Sequence, residues 1–122
     1  MSLISIVDDD LSVREALEGL MKVVGYDSVA FESAEAFLIS DRVPATACII
    51  ADVQMPGMSG LELQARLIKD GHRIPFIFIT AFPNEHARGR ALNGGAVRFL
   101  SKPVGEAELL EGIGLALGPP NR

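Results

Sequence analysis

Asp8 and Asp9, Asp52, Thr80 and Lys102 stand at or just past the ends of four short apolar runs. Singly, each has an ordinary explanation: Asp is frequent at strand ends and helix N-caps, Thr closes many strands, and a lone Lys is solvated. Together they are three acids, a hydroxyl and an ammonium that one sheet rim would collect. Crowded carboxylates repel and must be compensated. A hard divalent cation does this, and Mg2+ suits oxygen ligands because it keeps several waters and binds through one or two carboxylates plus a phosphate. A carboxylate can itself attack phosphorus and form an acyl phosphate once the phosphoryl oxygens are neutralised. Asp52, at the end of a wholly apolar run, is the candidate nucleophile. Asp8 and Asp9 are candidate metal ligands, Lys102 a candidate partner for a phosphoryl oxygen, and Thr80 a hydrogen-bond donor. Zinc is disfavoured, because His72 and His86 fall in segments read as exposed and Cys48 lies in an apolar run.

The elements that must position these groups follow from hydrophobic period. Short apolar runs at 3–7, 28–31, 47–51, 75–80 and 97–100 read as strands, and longer segments of helical spacing separate them. The run 47–51 is apolar throughout, which predicts a central strand covered on both faces. The first helix presents Val13, Leu17, Leu20, Met21 and Val24 and stops at Gly25. Ser33 is the N-cap of a second helix carrying Ala36, Phe37 and Leu38, which ends by 41–44. A Pro- and Gly-containing loop over 54–60 leads to a third helix with Leu61, Leu63, Leu67 and Ile68 on its buried side, closed by Gly71. The fourth helix, 84–93, contains Gly89, which costs about 1 kcal/mol relative to Ala, so it is expected to be the least stable. A fifth presents Leu109, Leu110, Ile113 and Leu117 and ends at Gly118-Pro119-Pro120. Five strand–helix pairs predict a doubly wound α/β sandwich with functional groups at the carboxyl ends of the strands.

Bulk properties narrow the function classes. At 122 residues and 48% hydrophobic, the chain fits one domain with its own core. Its net charge of -5 argues against direct nucleic-acid binding, so DNA would be reached only through an output domain absent from this sequence. With one cysteine, no basic apolar leader and no run of membrane-spanning length, a cytoplasmic protein that neither enters nor crosses a membrane is expected.

Val7-Asp8-Asp9, the segment from Asp52 through Met55-Pro56-Gly57-Met58-Ser59 to Gly60, Thr80-Ala81 and Lys102-Pro103 resemble, with matching intervals, the four signature blocks of bacterial response-regulator receivers. The segment 52–63 is similar to FixJ-type receivers, whose members are often joined to a LuxR-type helix-turn-helix domain. The resemblance implies a flavodoxin-like, five-stranded parallel sheet of order 2-1-3-4-5 with five helices. The receiver domain would span 1–118, and 119–122 would be a tail that could begin a linker. It implies that Asp52 is the phosphoacceptor, phosphorylated by a sensor histidine kinase. Mg2+ would be held by Asp9, Asp52 and the backbone carbonyl of Gln54, with Asp8 acting mostly through water. Thr80 and Phe99 would be the switch hydroxyl and switch aromatic, with Phe99 departing from the more usual Tyr. A cis peptide before Pro103 is implied too; from the residues alone, a trans Pro opening the last helix is the ordinary reading.

Other readings fit less well. An interaction-only receiver typically lacks an acid, the phosphoacceptor or the lysine, and all are present. A nucleotide-binding protein would need a Gly-rich loop where Asp8-Asp9-Asp10 stands. An aspartyl-phosphate phosphatase would carry a second acid two residues after its nucleophile, where this chain has Gln54. The expected activity is a transcription-controlling switch that assists its own phosphorylation and dephosphorylation, not an enzyme. For output, Arg88, Arg90 and Arg98 suggest a face for phosphorylation-dependent homodimerisation, built from the fourth helix, fifth strand and fifth helix and pairing with acids such as Glu106 or Glu108. A solvated basic patch without a partner reads almost equally well.

Overall fold

The computed structural model describes residues 2–117. Its strands are β1 (Leu3–Val7), β2 (Asp27–Phe31), β3 (Thr46–Asp52), β4 (Phe76–Thr80) and β5 (Arg98–Ser101). Its helices are α1 (Leu11–Val24), α2 (Ala34–Leu38), α3 (Gly60–Lys69), α4 (Glu85–Asn93) and α5 (Glu106–Leu117). The strands form one parallel sheet in the order β2-β1-β3-β4-β5, the flavodoxin-like arrangement expected. Gly118, Pro119 and Pro120, read as the end of the last helix, and the proposed tail 119–122 lie outside the described residues.

Strand period divides the core in two. Alternate side chains of a strand face opposite sides, so Cys48 and Ile50 of β3 join Ile77 and Ile79 of β4 under α1 and α5, with Leu17, Met21, Leu109 and Ile113. Ile49 and Ala51 join Phe76 and Phe78 under α2, α3 and α4, with Phe37, Leu63 and Leu67. Both faces are covered, which is why β3 and β4 read as continuous apolar runs.

Local chemistry sets the helix ends. Asp10 caps α1 by accepting from the Ser12 N–H (2.8 Å), and Gly25, at φ 94°, ends it by donating to the Met21 carbonyl. Ser33 caps α2, and Ser59 with Glu62 forms a capping box on α3. α4 buries only Ala87 and Ala91, in line with its expected weakness.

Two expectations, for Ile68 and His72, need correction, whereas the segment 41–44 lies past the end of α2, as expected, and leads into a 3₁₀ turn, Val43–Ala45. Here the Thr46 hydroxyl donates to the Arg42 carbonyl (2.7 Å) and hydrogen-bonds Ser5 Oγ (2.7 Å), a link between separate strands that local pattern does not encode. Ile68 is exposed while Gln64 is buried, because the inward stripe of α3 runs through Leu63, Gln64 and Leu67 and leaves Ile68 at its edge. Gln64 Nε2 donates to the Ala91 carbonyl (3.1 Å), tying α3 to α4. His72 is half-buried, and His86 is exposed as expected.

Candidate functional site

Parallel register assembles the site. Val7 pairs with Ala51, so Asp8 and Asp52 emerge level at the carboxyl ends of β1 and β3. Asp52 pairs with Ile79 and Thr80 with Ser101, which brings Thr80 and Lys102 to the same rim. All five groups picked out by type and position therefore meet at one end of the sheet.

Asp8 and Asp52 are buried and Asp9 is exposed. Asp52 Oδ1 accepts from the Gln54 N–H (3.1 Å), and its Oδ2 accepts from Lys102 Nζ (3.0 Å). Asp8 Oδ1 accepts from the Asp10 N–H (2.9 Å). Asp8 Oδ2 is different: Lys102 Nζ lies 3.1 Å away as an ion pair, but the oxygen receives no hydrogen bond of acceptable geometry. One carboxylate oxygen from each of Asp8, Asp9 and Asp52 can be chosen so that all lie within 4.8 Å of one another. Three hard oxygen donors, in a site that also holds a buried Asp8 oxygen without a hydrogen bond, suit a small divalent cation.

The electrostatics agree. Burial raises the Asp8 pKa above the ordinary value; the Asp10 N–H and Lys102 pull it back, and the Asp52 charge adds to the rise. Burial alone would lower the Lys102 pKa, but the hydrogen bond to Asp52, the close ion pair with Asp8 and the charge of both acids together outweigh it and hold the ammonium above its ordinary value.

Thr80 is fully buried; its hydroxyl oxygen accepts from the Phe82 N–H (3.0 Å), and its carbonyl accepts from the Lys102 N–H (2.8 Å). Phe99 is half-buried against the α2–α4 core. It lines a groove of about 370 Å³ with Pro83, Asn84, Glu85, Arg88 and Ser101. The Lys102–Pro103 peptide is cis. The Gln54 side chain is exposed, and the residue joins the site through its backbone. A Cβ at Gly60 would collide with the Asp52 carbonyl, so Gly is required for α3 to start this close to the acid.

Sequence reasoning missed Arg14, whose Nη1 donates to the Asp8 carbonyl (2.8 Å). A cation near a helix N-terminus opposes the helix dipole, a signal that could have singled it out. Arg98, read as available to a partner, is already paired with Glu111 of α5 (3.2 Å).

Comparison with known proteins agrees with this geometry. The response regulator receiver domain model matches residues 4–114. The chain is 42% identical over 112 residues to Nodulation protein W of Bradyrhizobium diazoefficiens, covering 92% of this chain and 49% of that protein. It is 37% identical to Transcriptional regulatory protein TdiR of Thauera aromatica, covering 95% and 51%. The crystal structure of FixJ-N superposes with a TM-score of 0.84 at 33% identity, covering 95% of this chain and 93% of that one. The chain spans about half the length of the curated relatives it matches. No helix among the described residues is long and apolar enough to cross a membrane.

Proposed function

This chain belongs to the response regulator receiver family of two-component signalling, and we propose that it is a phosphoacceptor switch whose acyl phosphate forms on Asp52. The observation that carries the reading is Lys102 set between Asp8 and Asp52, 3.1 and 3.0 Å from their Oδ2 atoms, beside an exposed Asp9. An ammonium bridging two carboxylates can swing to a phosphoryl oxygen without leaving the site.

Asp8, Asp9, Asp52 and the Gln54 backbone carbonyl would hold Mg2+, which when bound neutralises charge on the transferring phosphoryl group. A carboxylate oxygen of Asp52 attacks the phosphorus of a phosphohistidine on the sensor kinase. The P–O bond forms as the P–N bond breaks, and the imidazole nitrogen keeps the electron pair and takes up a proton. Lys102 stabilises the added negative charge. The Thr80 hydroxyl accepts from Phe82 N–H and still has its own proton to donate to the phosphoryl oxygen.

Drawing Thr80 inward makes room for Phe99 to turn in, and α4, anchored by two alanines, is the element such a shift biases most easily. The α4–β5–α5 face would then pair with a second copy or with an attached output domain that controls transcription in the cytoplasm. The relative TdiR is named a transcriptional regulatory protein. The protein signals by conformation, and the chemistry on Asp52 sets and resets that state.

Incubation with acetyl phosphate and Mg2+ followed by intact-mass measurement tests the assignment. Wild type should gain one phosphoryl group and Asp52→Asn none. An Asp52→Asn protein labelled to the wild-type extent would overturn it.

A further inference from the structure

α2 supplies none of the groups at the acidic rim, yet its Glu35 reaches the loop that leaves Asp52. Glu35 Oε2 accepts a hydrogen bond from the Met58 N–H at 2.9 Å, across 23 residues of sequence. The loop holds its own two ends: Gln54 N–H binds Asp52 Oδ1 (3.1 Å), Gly60 N–H binds the Val53 carbonyl (2.9 Å), and Ser59 caps α3. Met55 and Met58 pack against the core, and Glu35 adds a hydrogen bond from outside at the loop's middle. At Gly57, where φ is +76°, a Cβ would sit 2.5 Å from Glu35 Oε2, so the carboxylate lies directly against main chain that carries no side chain. Its base is firm: Ser33 caps α2, and Phe37 is fully buried with its ring 5.3 Å edge-on from Phe31. The Met58 N–H also holds the Glu35 carboxyl below its ordinary pKa.

Glu35 is exposed, and an exposed hydrogen bond of this kind adds little to global stability. Its effect is instead to select one path for the segment between Gln54 and Met58. We infer that Glu35 is a positioning residue which, through Met58 and Gly57, sets the path of the loop that carries Gln54, whose backbone carbonyl the proposed function assigns to Mg2+, and so tunes Mg2+ affinity. This rests on the functional reading above. Hydrogen-bonded partners of a metal's own ligands typically change its affinity 10- to 100-fold when lost, and Glu35, a step further out through Met58, is expected at the lower end of that range.

The test compares the 122-residue chain with Glu35→Ala, Glu35→Asp and Glu35→Gln, using Mg2+ titration calorimetry and hydrogen exchange at the Met58 amide. Glu35→Ala should bind Mg2+ about tenfold more weakly and lose Met58 protection, with little change in metal-free melting. Glu35→Asp keeps the charge but is one methylene too short, and it should lose affinity similarly; an acid in the first turn favours the helix, so it decides the matter if the Ala variant folds poorly. Glu35→Gln offers an amide oxygen to the same N–H and should stay near wild type. Wild-type affinity in the Ala and Asp variants, or a Gln variant as weak as Ala, overturns the inference. Absence of Mg2+ binding by wild type would sink the metal reading itself, which keeps the two failures distinct.

Discussion

Lys102 Nζ lies 3.0 Å from Asp52 Oδ2, tying the residue after β5 to the last residue of β3 across the intervening β4. The same nitrogen is 3.1 Å from Asp8 Oδ2, so one ammonium offsets the repulsion of two buried acids. Lys102→Met should therefore destabilise the metal-free protein by about 2 kcal/mol, because it leaves those charges uncompensated in a partly solvated site. Added Mg2+ should recover more stability in the variant than in wild type. Chemical denaturation with and without the metal measures both, and an equal metal increment in the two proteins would refute this account of Lys102.

Asp9 is the exposed member of the acid cluster and has no part in the Lys102 bridge. Asp9→Ala should fold normally yet lose most of the stabilisation by Mg2+. At a hundredfold excess over its dissociation constant, a bound ligand contributes about 2.7 kcal/mol. Thermal melting over a Mg2+ series provides the check, and superimposable shifts for variant and wild type would exclude Asp9 from the site.

Burial under α1 and α5 pushes the Cys48 thiol from its ordinary 9.0 up to about 12. The folded protein therefore keeps the proton that the unfolded chain releases. This contribution to stability is fully present below pH 9.0 and is lost as the pH rises toward about 12. By about pH 10.5, wild type should have lost about 2 kcal/mol more than Cys48→Ala relative to neutral pH. Urea unfolding of both proteins across this range reads the difference in slope; parallel curves would show that the thiol does not titrate this way.

Phosphorylation should bring two copies together through the α4–β5–α5 face, where Arg88 and Arg90 are exposed and Phe99 lines a groove. Because Arg98 is held by Glu111, Arg98→Ala should weaken this association less than Arg88→Ala. Sedimentation with and without beryllofluoride tests both points. A protein that stays monomeric at high concentration with the mimic bound would eliminate self-association and leave an attached domain as the receiver of the signal.

The amino-acid sequence determined the elements and their rim. Apolar runs at 47–51 and 75–80 read as strands covered on both faces, and the polar residue at the end of each surfaces where the strand does, so Asp52 and Thr80 were legible together with Asp8 and Lys102. What tertiary structure alone decided is which side chains from separate elements meet. Arg14 on the Asp8 carbonyl, Glu35 on Met58 and Gln64 on Ala91 depend on how helices sit against the sheet and one another, and Lys102 shared by Asp8 and Asp52 depends on the register of the strands. Hydrophobic period reports only which way a residue faces its own core. A polar side chain gives no such period, and its partner is set by distances of a few tenths of an ångström that exist only once the layers have packed.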